Sequence, residues 1–198
     1  MPSSVSTPAI GRESIVFSHG ELAKLANGSI LASYGDNVVL VTACISNEPR
    51  PYEGFVPLTV EYQEKTYAVG KIPGGFIKRE GKPKDTEILS ARLIDRSIRP
   101  LFDKGLLNEV QVIAMVLSSD GKNDPDVLSV NAASCTLLIS DIPFFNPIGA
   151  VRIGKIENNI ILNPTYEERE KSSVDLVVAG TEDRIVMLEG VFSEISEE

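Results

Sequence analysis

Arg92, Arg96 and Arg99 stand at i, i+4 and i+7, and shortly ahead of them Phe76, Lys78 and Arg79 fall within four consecutive positions. Guanidinium forks match phosphate oxygens, and an aromatic ring beside two cations can stack a base while the cations hold the adjoining phosphates. At about 100° per residue the three arginines share a helical stripe roughly 60° wide. Asp95, the carboxylate nearest to them in that helix, is expected on another face, so an i,i+4 ladder of ion pairs is not expected to account for them. The chemistry is that of a site for a polyanion. The competing reading is a solvated basic helix face beside a charged loop, and residue types alone weigh the two about equally.

The charge distribution sharpens the question. The chain has 19 Lys+Arg against 28 Asp+Glu, for a net charge of −9. Residues 71–100 carry +4 of that balance and the rest carries −13. Clustering cations does nothing for the solubility of an acidic protein, so the basic island points to a local partner of opposite sign.

Two elements must position these side chains. Residues 70–81, GKIPGGFIKREG, contain Gly and Pro in the pattern of a projecting loop, with Phe76, Lys78 and Arg79 at its tip. Residues 85–99 read as a helix, with Asp85 as its cap, Glu87 in the first turn and Pro100 as the stop. Ala91, Ile94 and Ile98 then turn toward a core.

Around them the pattern is α+β, with strands in groups, helices between, and no repeated β-α-β period. Residues 14–26, 29–34 and 37–45 are expected as antiparallel strands broken at Asn27-Gly28 and Gly35-Asp36. Residues 55–62 follow as a strand, and the apolar run 110–117 is expected as a central strand buried on both faces. A helix capped by Asp126 runs to about Ile139, and its small residues permit close packing on a sheet. A hairpin at 150–162, a short helix near 165–171 and strands at 174–179 and 185–189 complete the pattern. Residues 191–198 read as the start of a helix without its body, which suggests a piece of a longer chain.

Composition excludes several classes. Hydrophobic residues make up 42% and charged residues 24% of the 198, ordinary for a globular domain. No apolar run approaches the length of a membrane span. Residues 1–13 are expected to be a loose terminus, neither signal nor transit peptide, on a cytoplasmic protein. Cys44 and Cys135 lack metal-ligand spacing and are expected as buried reduced thiols. His19, the single histidine, is expected at the surface or a strand edge rather than in a catalytic triad.

The stretch PLTVEYQEKTYAVGKIPGGFIKREGKPKDTEILSARLIDRSIRPLF, residues 57–102, closely resembles the signature of the polynucleotide phosphorylase family in its first RNase PH-like domain. Residues 35–42 (GDNVVLVT), 108–112 (NEVQV), 139–144 (ISDIPF) and 175–181 (DLVVAGT) resemble that family too, so the likeness runs from about Ser14 onward. It implies one RNase PH-like domain over residues 14–198, with the fold of ribosomal protein S5 domain 2. It implies the N-terminal half of a phosphorolytic 3′-to-5′ exoribonuclease that uses inorganic phosphate as co-substrate and Mg2+ as cofactor. The phosphate pocket and the metal carboxylates would belong to a second RNase PH-like half beyond Glu198, so no catalytic or metal residue is assigned here. Phe76, Lys78 and Arg79 would grip single-stranded RNA at a constriction, with Arg92, Arg96 and Arg99 facing the active-site side. The expected partners are single-stranded RNA, two further copies in a homotrimer and degradosome-type proteins, with no membrane.

The sequence departs from the family pattern where members often carry a second Phe and an Arg at Ile77 and Lys78, and often Pro at Ser97. Lys in place of Arg keeps the charge and loses the planar fork. A different class of protein also fits, a non-catalytic RNA-binding or ring-forming RNase PH-like subunit of an exosome-type complex. Single-chain RNase PH matches residues 57–102 less well.

Overall fold

The computed structural model describes residues 3–51 and 54–193. Ten strands and three α-helices form a six-stranded and a four-stranded sheet with helices between them, the expected α+β class. Strands β1 (Ser3–Ile10), β2 (Glu13–His19), β3 (Gly28–Tyr34) and β4 (Asn37–Pro49) run antiparallel in chain order. Then β6 (Asn108–Ser118) pairs antiparallel with β4, and β5 (Leu58–Glu64) adds at the edge, parallel to β6. A parallel neighbour requires a crossover, and helix α1 (Asp85–Ile98) supplies it. The basic helix is therefore the crossover of the sheet's one parallel pair.

Burial alternates strictly in the middle strands of the first sheet. In β3 and β4, Ile30, Ala32, Tyr34, Val39, Val41 and Ala43 face the core, while their neighbours are half-exposed. β6 does the same, with Val110, Val112, Ala114 and Val116 buried and Ile113 and Met115 only partly covered. The continuous apolar run thus serves a sheet covered on one face, not on both as its sequence suggests.

Helix α2 (Pro125–Leu138) lies against β3 and β4 on one side and β7 (Gly149–Ile156) on the other. A helix between two sheets must be apolar or small nearly all round, and Val130, Ala132, Ala133 and Leu137 are fully buried. Its buried hydroxyls bond back into the helix, Ser129 Oγ to the Pro125 carbonyl and Thr136 Oγ1 to the Ala132 carbonyl, each at 2.8 Å. The second sheet has the order β10-β9-β7-β8 and is antiparallel throughout, with β8 (Asn159–Leu162), β9 (Val174–Gly180) and β10 (Ile185–Phe192). Helix α3 (Tyr166–Lys171) joins β8 to β9 behind a Thr165–Glu168 capping box.

Several boundaries differ from the sequence reading, each for a local reason. Residues 3–10 are not a loose terminus but an edge strand on β2, closed over Gly11 at φ +77°. The first long strand stops at His19, because Gly20 (φ +89°) and Ala23 (φ +48°) turn the chain into a loop. Val191 and Phe192 continue β10 rather than starting a helix, and residues 194–198 lie outside the described residues. Asp124, two positions before the expected cap Asp126, caps α2 by accepting from the Asp126 amide at 3.2 Å. Cys44 is exposed on the open face of β4, and Cys135 is half-buried. His19 ends β2, exposed and 2.6 Å from Ser3 Oγ.

Gly28 shows how closely α2 is seated. A Cβ there would lie 2.4 Å from the Thr136 carbonyl oxygen and 2.9 Å from Ser140 Cβ. The Gly28→Ala variant should lose about 1–3 kcal/mol in urea unfolding, the usual cost of overpacking against backbone that cannot step aside. A change below about 0.5 kcal/mol would show that α2 slides.

Candidate nucleic-acid interface

The segment between the 3-10 turn Thr66–Val69 and α1 has no regular structure. Gly75 (φ +76°) and Lys78 (φ +54°) both adopt left-handed backbone, which bends the loop tip outward. Phe76 is 103% exposed and Ile77 72% exposed. Lys78 and Arg79 are exposed too, and neither makes an ion pair among the described residues. The loop therefore presents an uncovered aromatic face beside two free cations.

Helix α1 begins at Asp85, but the residue that closes its N-terminus is Glu87. Its carboxylate accepts from the Lys84 amide and, through the other oxygen, from the Glu64 amide at the end of β5, both at 2.7 Å. One buried side chain thus caps the helix and fastens it to the sheet edge. The core-facing stripe is Leu93, Ile94, Ser97 and Ile98.

The three arginines of α1 and the turn after it do not act alike. Arg92 is exposed and has no ion-pair partner among the described residues. Arg96 pairs with Glu189 on β10, both side chains nearly half-exposed. Arg99 sits in the 3-10 turn Arg99–Leu101 and is fully engaged. Asp95 takes its Nε at 2.8 Å and an Nη at 2.5 Å, and the Val56 and Leu58 carbonyls accept at 2.9 Å each. The expectation that Asp95 lies on another face is overturned: the turn tightens after Ile98 and brings the i+4 guanidinium back onto it. The Asp95 hydrogen bond holds the Arg99 pKa above its ordinary value. Arg92 and Arg99 line one wall of a groove of about 390 Å³, with Ile88 and Ala91 beside them and Val60 and Tyr62 of β5 opposite.

The structure also assembles a charged cluster that no spacing in the sequence marks. Arg152 of β7, 8% exposed, donates to Asp126 at 2.5 Å and to Asp175 of β9 at 2.6 Å. Arg169 of α3 donates to Asp124 at 2.8 Å and to Asp175 at 3.0 Å, while its guanidinium lies 5.6 Å from the centre of the Tyr166 ring. Asn37, also buried, steers the chain toward this cluster by accepting from the Asp120 amide at 3.0 Å and donating to the Asn123 carbonyl at 3.3 Å. Burial, reinforced by Asp124, pushes the Asp126 carboxyl up to about 7 against the pull of Arg152. The sequence signal is faint: Arg152 and Asp175 are single charges inside otherwise apolar strands. Three carboxylates converge here, but two guanidinium groups occupy the faces a cation would need. The cluster does not fit a metal ion, and no group of three or more metal-ligand side chains stands ready elsewhere among the described residues.

Two sheets with α2 between them, and α1 as the crossover beneath an exposed basic loop, make up the fold. An Archaeoglobus fulgidus exosome structure with RNA bound to its active site superposes with a TM-score of 0.73 over 96% of this chain and 81% of that one, at 19% identity. Residues 12–143 match the 3′ exoribonuclease family, domain 1, and residues 146–198 match domain 2 of the same family. The chain belongs to the 3′ exoribonuclease family. It is 56% identical over 189 residues to the polyribonucleotide nucleotidyltransferase of Heliobacterium modesticaldum, across 96% of this chain and 27% of that protein. The protein of the same name from Caldicellulosiruptor bescii is 57% identical over 188 residues, across 95% of this chain and 27% of that one. The chain thus spans about a quarter of the length of these relatives.

The cluster has a measurable pH signature. Because the Asp126 carboxyl titrates near 7 when folded and near 3.8 as a free side chain, the unfolded chain ionises first. Folding stability from this residue is therefore present at low pH and lost as pH rises from about 4 to about 7. In urea unfolding, Asp126→Asn should gain on the parent protein across that window, and a parallel pair of curves would refute the assignment. Arg152→Leu should cost about 3–5 kcal/mol, because it strands buried carboxylates.

Proposed function

We propose that this chain is the N-terminal RNase PH-like half of a phosphorolytic 3′-to-5′ exoribonuclease, which cleaves the terminal phosphodiester of RNA with inorganic phosphate and releases nucleoside diphosphates. The observation that carries the reading is the loop tip, where Phe76, Lys78 and Arg79 are exposed together and neither cation has an ion-pair partner among the described residues. A fully exposed phenylalanine gains nothing from folding and is suited to stacking on a base, while the cations meet the phosphates on either side. Arg92 extends this basic path along α1. Arg96 and Arg99 contribute to it only by changing partners, since each already meets a carboxylate.

The family's name and the names of its relatives support the reaction class. Phosphoryl transfer further requires a metal held by carboxylates and a pocket for phosphate, and we assign Mg2+ and phosphate binding to the part of the relatives' length that this chain does not span. Assembly as a homotrimer with a ring of RNase PH-like units, degradosome-type partners and a cytoplasmic setting belong to the same proposal. Two free thiols agree with a reducing compartment. On this reading, the 198-residue chain incubated with poly(A), phosphate and Mg2+ should release no ADP, and robust release would overturn the division of labour.

The RNA interface makes its own quantitative claim, measured by titrating single-stranded RNA at several salt concentrations in the protein that carries this sequence. Phe76→Ala should weaken binding by roughly 1–3 kcal/mol with little dependence on sequence. Arg92→Ala should flatten the log–log salt slope by about 0.7, the share of one neutralised phosphate, with unfolding in urea unchanged. Arg99→Ala should do the opposite, costing stability while leaving the slope alone. If Arg92→Ala leaves the slope alone, the basic path does not run along α1.

A further inference from the structure

Apart from Phe76, Lys78 and Arg79, the loop has one feature that the proposed function does not use. The Glu80 carboxylate reaches back fourteen positions to Thr66, accepting from its amide through one oxygen at 2.8 Å and from its hydroxyl through the other at 2.7 Å. On the opposite limb the Lys71 amide donates to the Thr66 carbonyl at 3.2 Å, and the Gly70 amide to the Tyr67 carbonyl at 2.9 Å. Thr66 is therefore the point where both limbs of the loop are tied. Among the described residues, no other hydrogen bond from the 70–83 segment reaches outside it. Glu80 stands directly after Arg79, so the tie fixes the limb that carries both cations.

We infer that Glu80 is a positioning residue for RNA, a latch that holds the loop with Phe76, Lys78 and Arg79 in the orientation that receives a single strand. The inference rests on the proposed role of that loop. Its physical basis is the cost of ordering: a loop that samples many conformations binds only through the competent fraction, so its apparent affinity falls by that fraction. A charged acceptor meeting two donors of one residue is the strong class of hydrogen bond, and at an exposed site it restrains the loop without being needed by the core. The bond from the Thr66 amide holds the Glu80 pKa below its ordinary value.

The test uses the protein that carries this sequence, titrated with fluorescent oligo(A) and digested with trypsin, which cuts after Lys78 and Arg79. Glu80→Ala should weaken oligo(A) binding roughly tenfold, the loss expected when about one loop conformer in ten is competent. Trypsin should cut the loop faster in this variant, with the urea midpoint unchanged. Glu80→Gln keeps an acceptor for the amide and a donor for the hydroxyl, and should restore most of the affinity, which a simple loss of charge would not allow. Phe76→Ala serves as the companion variant. If it impairs binding while Glu80→Ala binds like the parent, the latch is overturned and the loop reading stands. If neither variant affects binding, the loop reading fails and the positioning role with it.

Discussion

Helix α2 and the second sheet are joined through charge as well as through apolar packing, and the buried guanidinium of Arg152 is the point of junction. It rises from β7, in the second sheet, and ends between Asp126 on α2 and Asp175 on β9. Arg169 closes the circuit from α3 by reaching Asp124 and Asp175. A buried ion pair adds little net stability compared with an apolar pair of the same shape, but breaking one is expensive. The effect is to fix geometry: α2 and the second sheet meet in the register that lets both Nη atoms of Arg152 reach carboxylates, while its buried Nε is left without a partner among the described residues. Burial first, and the neighbouring Asp124 carboxylate second, raise the Asp126 carboxyl to about 7.

That junction matters for the basic surface because α1 rests on both sides of it. Glu87 ties the helix to β5, Arg99 ties its far end to the same strand, and Arg96 reaches Glu189 on the second sheet. The arginine stripe is thus divided by burial. Partly covered Arg99 has four hydrogen bonds and works as a strut, half-exposed Arg96 has one half-exposed partner, and Arg92 has no ion-pair partner among the described residues. Desolvation decides among them, since an ion pair open to water contributes at most about 1 kcal/mol and is easily exchanged for a phosphate.

Much of this is legible in the chain. Strict alternation reveals β3 and β4, and the Gly-Asp and Asn-Gly turns place their ends. The helix 85–99 and the loop before it are visible from Pro, Gly and charge. What is not legible depends on partners far away in sequence. Residues 3–10 carry no apolar alternation strong enough to announce a strand, and they become one because β2 offers an unpaired edge. The run 110–117 looks buried on both faces because its outward residues are apolar too, yet the second face of that sheet is only half-covered. Ideal helical geometry misplaces Asp95, because it fails at the very point where α1 tightens into a 3-10 turn. The Arg152 cluster brings together residues 124 to 175, and no local pattern connects them.

The loop and the cluster treat charge in opposite ways, and the difference separates the two jobs of the domain. In the cluster both guanidinium groups meet carboxylates inside the protein, so its effect bears on folding rather than on a ligand. In the loop Lys78 and Arg79 are unmatched, and the nearest carboxylate in sequence, Glu80, is withdrawn from them because Thr66 claims both of its oxygens. Had Glu80 been free, it would have lain beside Arg79 and lowered the attraction of the tip for a polyanion. Binding Glu80 to the 3-10 turn therefore does two things at once, holding the limb in place and keeping a negative charge occupied. The carboxylates nearest the tip and the helix below it keep their charge but make their hydrogen bonds elsewhere. Glu80 on Thr66, Glu87 on two amides and Asp95 on Arg99 are engaged in that way.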